Sequence, residues 1–494
     1  MKSTAADGVL ILYTGGTLGS LRKDSDDPHS PLEPAPLEAV LGYFPDYDPE
    51  RREITLGRRR IRLGLETFDP PLDSSDIGPD DWVRIARIID ENYDRYEGFV
   101  ILHGTDTLAY TSSALAFILR NLRKPVVLTG SQRPIGEVRS DAEQNLITAV
   151  EIAAAAGLGR TVVPEVCVFF RDHLYRGCRT TKVSAVSYNA FASPNLPPLA
   201  TAGATIVVDE DLLCCPEPRP LAVRTRFEHN VASLDVTPGM PVAMLRAFFG
   251  IPGLKGAVLR TYGSGNAPSS REFLDAVAEA VERGVVVMNA TQCLEGEVSP
   301  GKYATSAALL ARGVIGSLDM TREAALTKMF TVLGEEPDPS LAADLLQLDL
   351  AGEQRWSVFH LHFPPGRLDP GASTTLMPLR EMAGRSRFRP QAVEEALLSM
   401  TGVRLEGIAR GTVRVGAVLD AAPERGDHPG NLGTVARSWI ESRGVETLFL
   451  PATRAVRELV DHRHTNELTL VNLGDRPLLW NKLELVCRAD VGSL

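Results

Sequence analysis

The sequence is poor in the features that mark several large classes of protein. Six cysteines in 494 residues, at 167, 178, 214, 215, 293 and 487, are too sparse and irregular for a disulfide scaffold. Cys214 and Cys215 adjoin each other, and none of the spacings that build a tetrahedral zinc site occurs. Reduced thiols in a cytosolic protein are therefore expected, with no metal. No run of about 20 apolar residues offers a membrane span. The opening Met-Lys-Ser-Thr-Ala-Ala-Asp lacks the apolar centre of a secretory signal. Excess positive charge is missing too. The formal net charge is -11, which disfavours nucleic acid and anionic membrane as general partners. There is no phosphate-binding loop ending in Gly-Lys-Ser/Thr and no Gly-x-Gly-x-x-Gly after the first strand, so nucleotide chemistry has little support. A Gly-x-Ser-x-Gly elbow with a following acid and histidine is absent, as is any fixed-period repeat.

What is present describes a folded protein of more than one domain. Hydrophobic residues make up 44% and charged residues 23%, ordinary values for a globular chain, and the length exceeds what one hydrophobic core holds. Short apolar runs at Val9–Tyr13, Phe99–Leu102, Pro125–Leu128 and Val166–Phe170 read as buried strands. Helices are expected after the second, where Leu108, Ser112, Leu115 and Leu119 recur, and after the third, around Asn145, Ile147 and Val150. That alternation predicts an α/β domain with a mostly parallel sheet, placed at 8–200. Arg58-Arg59-Arg60 reads as a solvated hairpin edge, and the polar, proline-rich stretch from Arg22 to Pro34 as a mobile loop at the mouth of a site. A linker is assigned to 201–224. A second, smaller α/β domain is assigned to 225–350, with strands at Ala257–Arg260 and Gly284–Asn289 around a helix from Arg271 to Val281. From 352 to 494 the pattern changes to a β-rich module. Strands are expected there at Trp356–Phe363, Gly411–Leu419, Thr447–Leu450, Glu467–Val471 and Leu483–Val486, with one helix at Gln391–Met400.

Three strand ends carry groups that can do chemistry. Thr17 follows Thr14-Gly15-Gly16, where two glycines let the backbone turn sharply beside a ligand. A hydroxyl there attacks a carbonyl if its proton is removed. Thr105 and Asp106 offer a second hydroxyl and an anion able to hold an ammonium, and Lys182 could complete a hydroxyl–amine relay. Each also has a plain structural reading taken alone: a threonine or aspartate capping a helix, or a surface lysine.

These residues lie in longer motifs. Tyr-Thr-Gly-Gly-Thr-Leu-Gly stands at 13–19, Pro-Leu-Asp-Ser-Ser-Asp at 71–76, and His-Gly-Thr-Asp-Thr-Leu-Ala-Tyr at 103–110. Leu-Thr-Gly-Ser-Gln-Arg-Pro at 128–134, Arg-Ser-Asp-Ala-Glu-Gln-Asn-Leu at 139–146 and Tyr-Arg-Gly-Cys-Arg-Thr-Thr-Lys at 175–182 follow in order, then further matches at 191–199 and 262–268. Over roughly residues 8–350 the chain resembles the bacterial-type asparaginase/glutaminase family in its cytoplasmic branch. The resemblance implies two α/β domains of the asparaginase type, a larger parallel-sheet domain and a smaller one, here extended by the β-rich module. It implies an L-asparaginase that forms an acyl-enzyme, releases ammonia and then L-aspartate, and uses no cofactor. Thr17 matches the nucleophile, and Thr105, Asp106 and Lys182 the supporting threonine, aspartate and lysine. Ser74 and Ser75 match the pair that holds the substrate carboxylate, Asp106 the group that receives its ammonium, and Ser131 a carbonyl that touches the amide. Backbone N–H groups near Gly16 and Thr105 match the oxyanion donors. Arg260 matches part of a regulatory asparagine site, and a homodimer or homotetramer is implied.

Two departures stand out. The loop after the first motif has no tyrosine where many relatives place one; Leu32 occupies the nearest position, with His29 nearby. The module at 352–494 matches neither the bacterial short form nor the ankyrin-bearing animal form. His360 with His362, and His462 with His464, are its only arrangement worth weighing as a metal site, and solvated histidines explain them more simply. The remaining functional alternatives are a glutaminase, an amidase serving glutamyl-tRNA, a lysophospholipase, and an asparagine-binding regulator without turnover. The Thr-Gly-Gly-Thr strand starting at about residue 9, without a domain before it, and the acidic charge speak against the tRNA reading.

Overall fold

The computed structural model describes residues 8–22, 32–44, 46–214, 219–298 and 308–363. Beyond these it describes 366–370, 372–376, 393–405, 413–419, 431–437, 446–451, 468–472, 478–480 and 482–490. Two compact units make up the chain. One comprises Met1–Ser306, Ile315–Ala342 and Leu350–Gln354, the other Ala307–Val314, Ala343–Asp349 and Arg355–Leu494.

In the first unit a ten-stranded sheet has five parallel strands at its centre, in the spatial order Arg59–Thr67, Val9–Tyr13, Gly98–Leu102, Val126–Thr129 and Val166–Phe170. Four of them, all but the edgeward Arg59–Thr67, are buried along their whole length because both faces are covered. Val9, Ile11 and Tyr13 point into a core shared with Leu37, Val40 and Leu41 and with Leu146, Ala149 and Val150. Leu10 and Leu12 point the other way, into a core shared with Trp82, Ile85 and Ile89 and with Leu108, Leu115 and Ile118. Alternate residues thus serve opposite helical layers. The crossover helices are Pro79–Asn92, Leu108–Ile118 and Ala142–Ala153.

Antiparallel strands finish both sheet edges. Glu53–Leu56 forms a hairpin with Arg59–Thr67, and Arg58, Arg59 and Arg60 are exposed there, as the sequence implied. At the other edge, Ala200–Ala202 and Ile206–Val208 extend the sheet from within the stretch read as linker. A second sheet of four parallel strands, Val231–Asp235, Gly256–Thr261, Val286–Thr291 and Ile315–Gly316, is accompanied by helices Arg271–Glu282 and Arg322–Glu335.

The second unit is antiparallel. Trp356–Phe363, Lys482–Asp490, Val393–Leu405, Leu478–Trp480 and Gly366–Leu368 lie side by side in one sheet, with Glu446–Pro451 also paired to Val393–Leu405. A four-stranded sheet contains Ser373–Leu376, Leu468–Asn472, Val413–Leu419 and Asn431–Arg437. Where a helix is expected at Gln391–Met400, the described residues from Val393 onward form the strand Val393–Leu405 instead. Ala396, Leu397 and Leu398 favour helix locally, but each is paired with Lys482–Asp490, and partners some 90 residues away override local propensity.

The first unit is closed by a knot of buried charge. Lys328 and Glu353, both fully buried, form a 2.6 Å ion pair, and Glu353 also accepts from the backbone N–H groups of Leu350 and Ala351. The Lys328 ammonium and these N–H groups hold the Glu353 carboxyl down at about 2 against the pull of burial. Arg176 and Arg179 both donate to the Gly352 carbonyl, and each pairs in turn with a buried acid, Glu165 and Asp319. Residues 350–354 are therefore built into this unit, although the sequence reading began the terminal module at 352. Lys328→Met should leave Glu353 buried and unpaired and lower unfolding free energy by about 3–5 kcal/mol. Chemical denaturation checks this, and an unchanged midpoint would refute it.

Candidate active site

Parallel strands deliver all their following loops to one sheet edge. The first strand, Val9–Tyr13, lies between Arg59–Thr67 and Gly98–Leu102, so the chain leaves it toward one side and later returns on the other. The loops carrying Thr17 and Thr105 thus flank the point where the strand order reverses, the usual place for a crevice.

Glycines let these loops touch. Gly15 and Gly16 have φ of 133° and 94°, a region that L side chains avoid. A Cβ on Gly16 would lie 2.5 Å from Gly104 Cα, and one on Gly15 would lie 2.0 Å from the Leu72 carbonyl oxygen. A Cβ on Gly104 would strike Ser74 Oγ at 2.6 Å, and one on Gly130 would lie 2.5 Å from the His103 carbonyl oxygen. Four sequence motifs are packed backbone to backbone in this way.

On this edge Lys182 Nζ donates to Thr105 Oγ1 at 2.9 Å and to Asp106 Oδ1 at 2.7 Å. Lys182 reaches them from the short strand Thr181–Lys182, paired with Phe191–Ala192. Its side chain is 16% exposed while that of Asp106 is 70% exposed, so the ammonium is sheltered and the carboxylate stands at the rim. Thr105 and Ser74 are buried; Thr17 is half-buried, in the turn Thr17–Gly19. Among the described residues, no hydrogen bond reaches the Thr17 hydroxyl, and the Thr105 N–H finds no acceptor. An open hydroxyl, an open backbone donor and an amine–hydroxyl pair along one edge are the parts of an acyl-transfer site.

Family models match the chain along two stretches, "Asparaginase, N-terminal" at residues 8–213 and "Glutaminase/Asparaginase C-terminal domain" at 230–346. L-asparaginase 1 of Escherichia coli is 43% identical over 349 residues, covering 70% of this chain and 97% of that protein. The chain belongs to the asparaginase family. Its fold agrees with a crystal structure of L-asparaginase I from Vibrio cholerae, 38% identical with a TM-score of 0.62, over 71% of this chain and 99% of that one. The human 60 kDa lysophospholipase is 41% identical, but this chain spans only 61% of it.

Other residues singled out in this asparaginase-family sequence fall variously. Ser75 is exposed, and its hydroxyl and N–H both donate to Asp73 Oδ1, at 2.5 and 2.8 Å. Its hydrogen is thus spent within the turn, and that bond holds the Asp73 carboxyl below its usual range. Ser131 is buried, with its hydroxyl donating to the Arg133 carbonyl. Arg260 lies apart from the Thr105–Lys182 pair, in the second sheet, where it forms a two-pronged ion pair with Asp235 at 2.9 and 3.0 Å. His360 and His362 lie on the strand Trp356–Phe363, in register with Val486 and Glu484. His29, His462 and His464 lie outside the described residues, as does the span 23–31 that contains most of the expected lid. Leu32 opens a short strand paired to Ser20–Arg22.

One residue that motif reading passed over is His103. It is fully buried between the strand Gly98–Leu102 and Thr105, with Nδ1 2.7 Å from the Gly104 carbonyl oxygen. A carbonyl only accepts, so Nδ1 carries the proton, and Nε2 accepts from the Thr111 hydroxyl at 2.9 Å; Trp82 Nε1 donates to Thr111 at 3.1 Å. Every polar atom is used, and burial pushes the imidazole down to about 4, so it is neutral at neutral pH. The only hint in sequence was an apolar strand ending on a histidine. Unfolded histidine titrates near 6.5, so below about pH 6.5 the unfolded chain gains a proton that the folded chain refuses. This contribution to stability is complete above that pH and declines by about 3 kcal/mol on acidification to about pH 4. Unfolding free energy of His103→Gln should fall less steeply than the parent's across that window; parallel curves would refute the assignment.

Proposed function

We propose that this asparaginase-family protein hydrolyses L-asparagine to L-aspartate and ammonia, with Thr17 as nucleophile. The reading rests on one observation above others: the Lys182 ammonium bonds both Thr105 and Asp106 at an edge where the Thr17 loop touches the Thr105 loop. Free asparagine carries a cation and an anion at one end and a neutral amide at the other. Asp106, exposed at the rim, receives the α-ammonium, and Ser74 donates to the α-carboxylate. Ser75 joins it only after giving up its bond to Asp73.

The Thr17 hydroxyl attacks the amide carbon, and its proton passes through the Thr105 hydroxyl to Lys182, which takes part in this step as the neutral amine because an ammonium has no lone pair to accept it. The tetrahedral oxyanion takes hydrogen bonds from backbone N–H groups, that of Thr105 among them. Collapse breaks the C–N bond, the nitrogen leaves as ammonia with a proton returned from the relay, and water then hydrolyses the threonyl ester to aspartate. Discrimination against glutamine concerns one methylene, worth about 1–3 kcal/mol, so measurable glutaminase activity accompanies the main one. A cytoplasmic location accords with the thiols of Cys167, Cys178 and Cys293, which form no disulfide. A homodimer or homotetramer and a regulatory role for Arg260 extend from the family resemblance.

Ammonia release from asparagine and glutamine, with fatty-acid release from a lysophospholipid control, should rank asparagine first. Thr17→Ala should leave the fold intact and nearly abolish turnover, and Lys182→Met should slow it by about 10²–10⁴-fold. A Thr17→Ala protein working near the parent rate would sink the proposal. A chain ended after Gln354 should keep the activity. One ended after Asp349 loses the partner of Lys328 and should be unstable, as thermal unfolding of the two would report.

A further inference from the structure

The motif at 139–146 takes no part in the mechanism above, yet Asp141 and Asn145 within it bond the turn that meets Thr105. Asp141 stands immediately before the helix Ala142–Ala153, where a carboxylate ordinarily caps the helix, but it makes no capping bond. Its oxygens instead accept from the N–H groups of Gln132, at 3.1 Å, and Arg133, at 3.2 Å, and from Asn145 Nδ2 at 3.2 Å. Asn145 is fully buried. Its Nδ2 also donates to the Gly130 carbonyl at 2.9 Å, and its Oδ1 accepts from the Arg171 N–H at 2.8 Å. Ser140 adds a bond to the Arg133 carbonyl at 3.1 Å.

These bonds hold the turn 130–133 on both sides of Ser131 and leave one group open. Ser131 is 1% exposed, and among the described residues its carbonyl accepts no hydrogen bond. A buried carbonyl without a donor is costly unless something supplies an N–H. The turn lies against the nucleophile-side loops: a Cβ on Gly130 would be 3.5 Å from Thr105 Cγ2. An amide substrate brings N–H groups to this edge, on the nitrogen that departs.

We propose that Asp141 and Asn145 are positioning residues that hold the Ser131 carbonyl to receive the carboxamide N–H, and so select amides over other acyl compounds. The inference rests on the asparaginase reading. The test uses the full-length protein, its Asp141→Asn variant, and two substrates, L-asparagine and the β-methyl ester of L-aspartate. The ester offers the same charges and the same carbonyl but no N–H on its leaving group. Asp141→Asn replaces an acceptor oxygen with a donor facing donors. It should lower kcat/KM for asparagine about ten-fold and that for the ester less than two-fold, with near-parent secondary structure. Equal losses on both substrates, or no loss on asparagine, would overturn the proposal. Should Asp141→Asn fail to fold, Ser140→Ala removes a half-exposed tie to the same turn. It should lower asparagine turnover about three-fold with the ester unaffected, and an equal effect on both substrates would again refute the role. Failure of the parent to hydrolyse asparagine at all would strike the asparaginase reading instead, which the substrate panel separates from failure of this one.

Discussion

Where Gly16 meets Gly104 there is no room for a single methyl group, since a Cβ on the first would come within 2.5 Å of the second's backbone. Bulkier residues there would push apart the loops that carry Thr17 and Thr105, and with them the two hydroxyls of the candidate site. Ser74 meets Gly104 from another side, and the turn at Gly130 meets His103. The site is thus set by four loop backbones in contact, and side-chain bonds refine an arrangement that steric exclusion has already imposed.

The sheet explains why such contact is available. Parallel strands covered by helices on both faces are apolar throughout, so their polar and reactive residues are displaced to the ends. Helix layers built on Leu37–Leu41 and Ala142–Ala153 on one side, and on Pro79–Asn92 and Leu108–Ile118 on the other, hold the strand ends level. Buried polar groups then lock individual loops. His103 is fixed by Thr111 and Trp82 while gripping the Gly104 carbonyl, and the planar peptide that follows orients the Thr105 N–H opposite to that carbonyl. Asp141 and Asn145 perform the corresponding service for the turn after the next strand.

Charge is handled differently away from the site. Glu165 with Arg176, Asp319 with Arg179, and Glu353 with Lys328 are buried pairs, each costly to separate. All three cations reach this segment: Arg176 and Arg179 donate to the Gly352 carbonyl, and the partner of Lys328 is Glu353 itself. The segment before Arg355 is thereby made part of the asparaginase body, which is how the family fold can end cleanly with a foreign β-rich sequence following it.

The sequence by itself determined four of the five central strands of the larger sheet and two of the smaller one, the helices Leu108–Ile118, Ala142–Ala153 and Arg271–Glu282, and which residues are candidates for the chemistry. Those features are local: apolar runs, helical spacing and glycine punctuation record them within a few residues. Val166–Phe170 was legible to the residue for this reason. Tertiary structure alone decided that Lys182 bonds Thr105 and Asp106, that Ser75 turns back on Asp73, that Asp141 serves a turn rather than a helix end, and that Val393–Leu405 is a strand. Each of these depends on partners distant in the chain or on competition among several acceptors for one donor, and neither is written in local spacing.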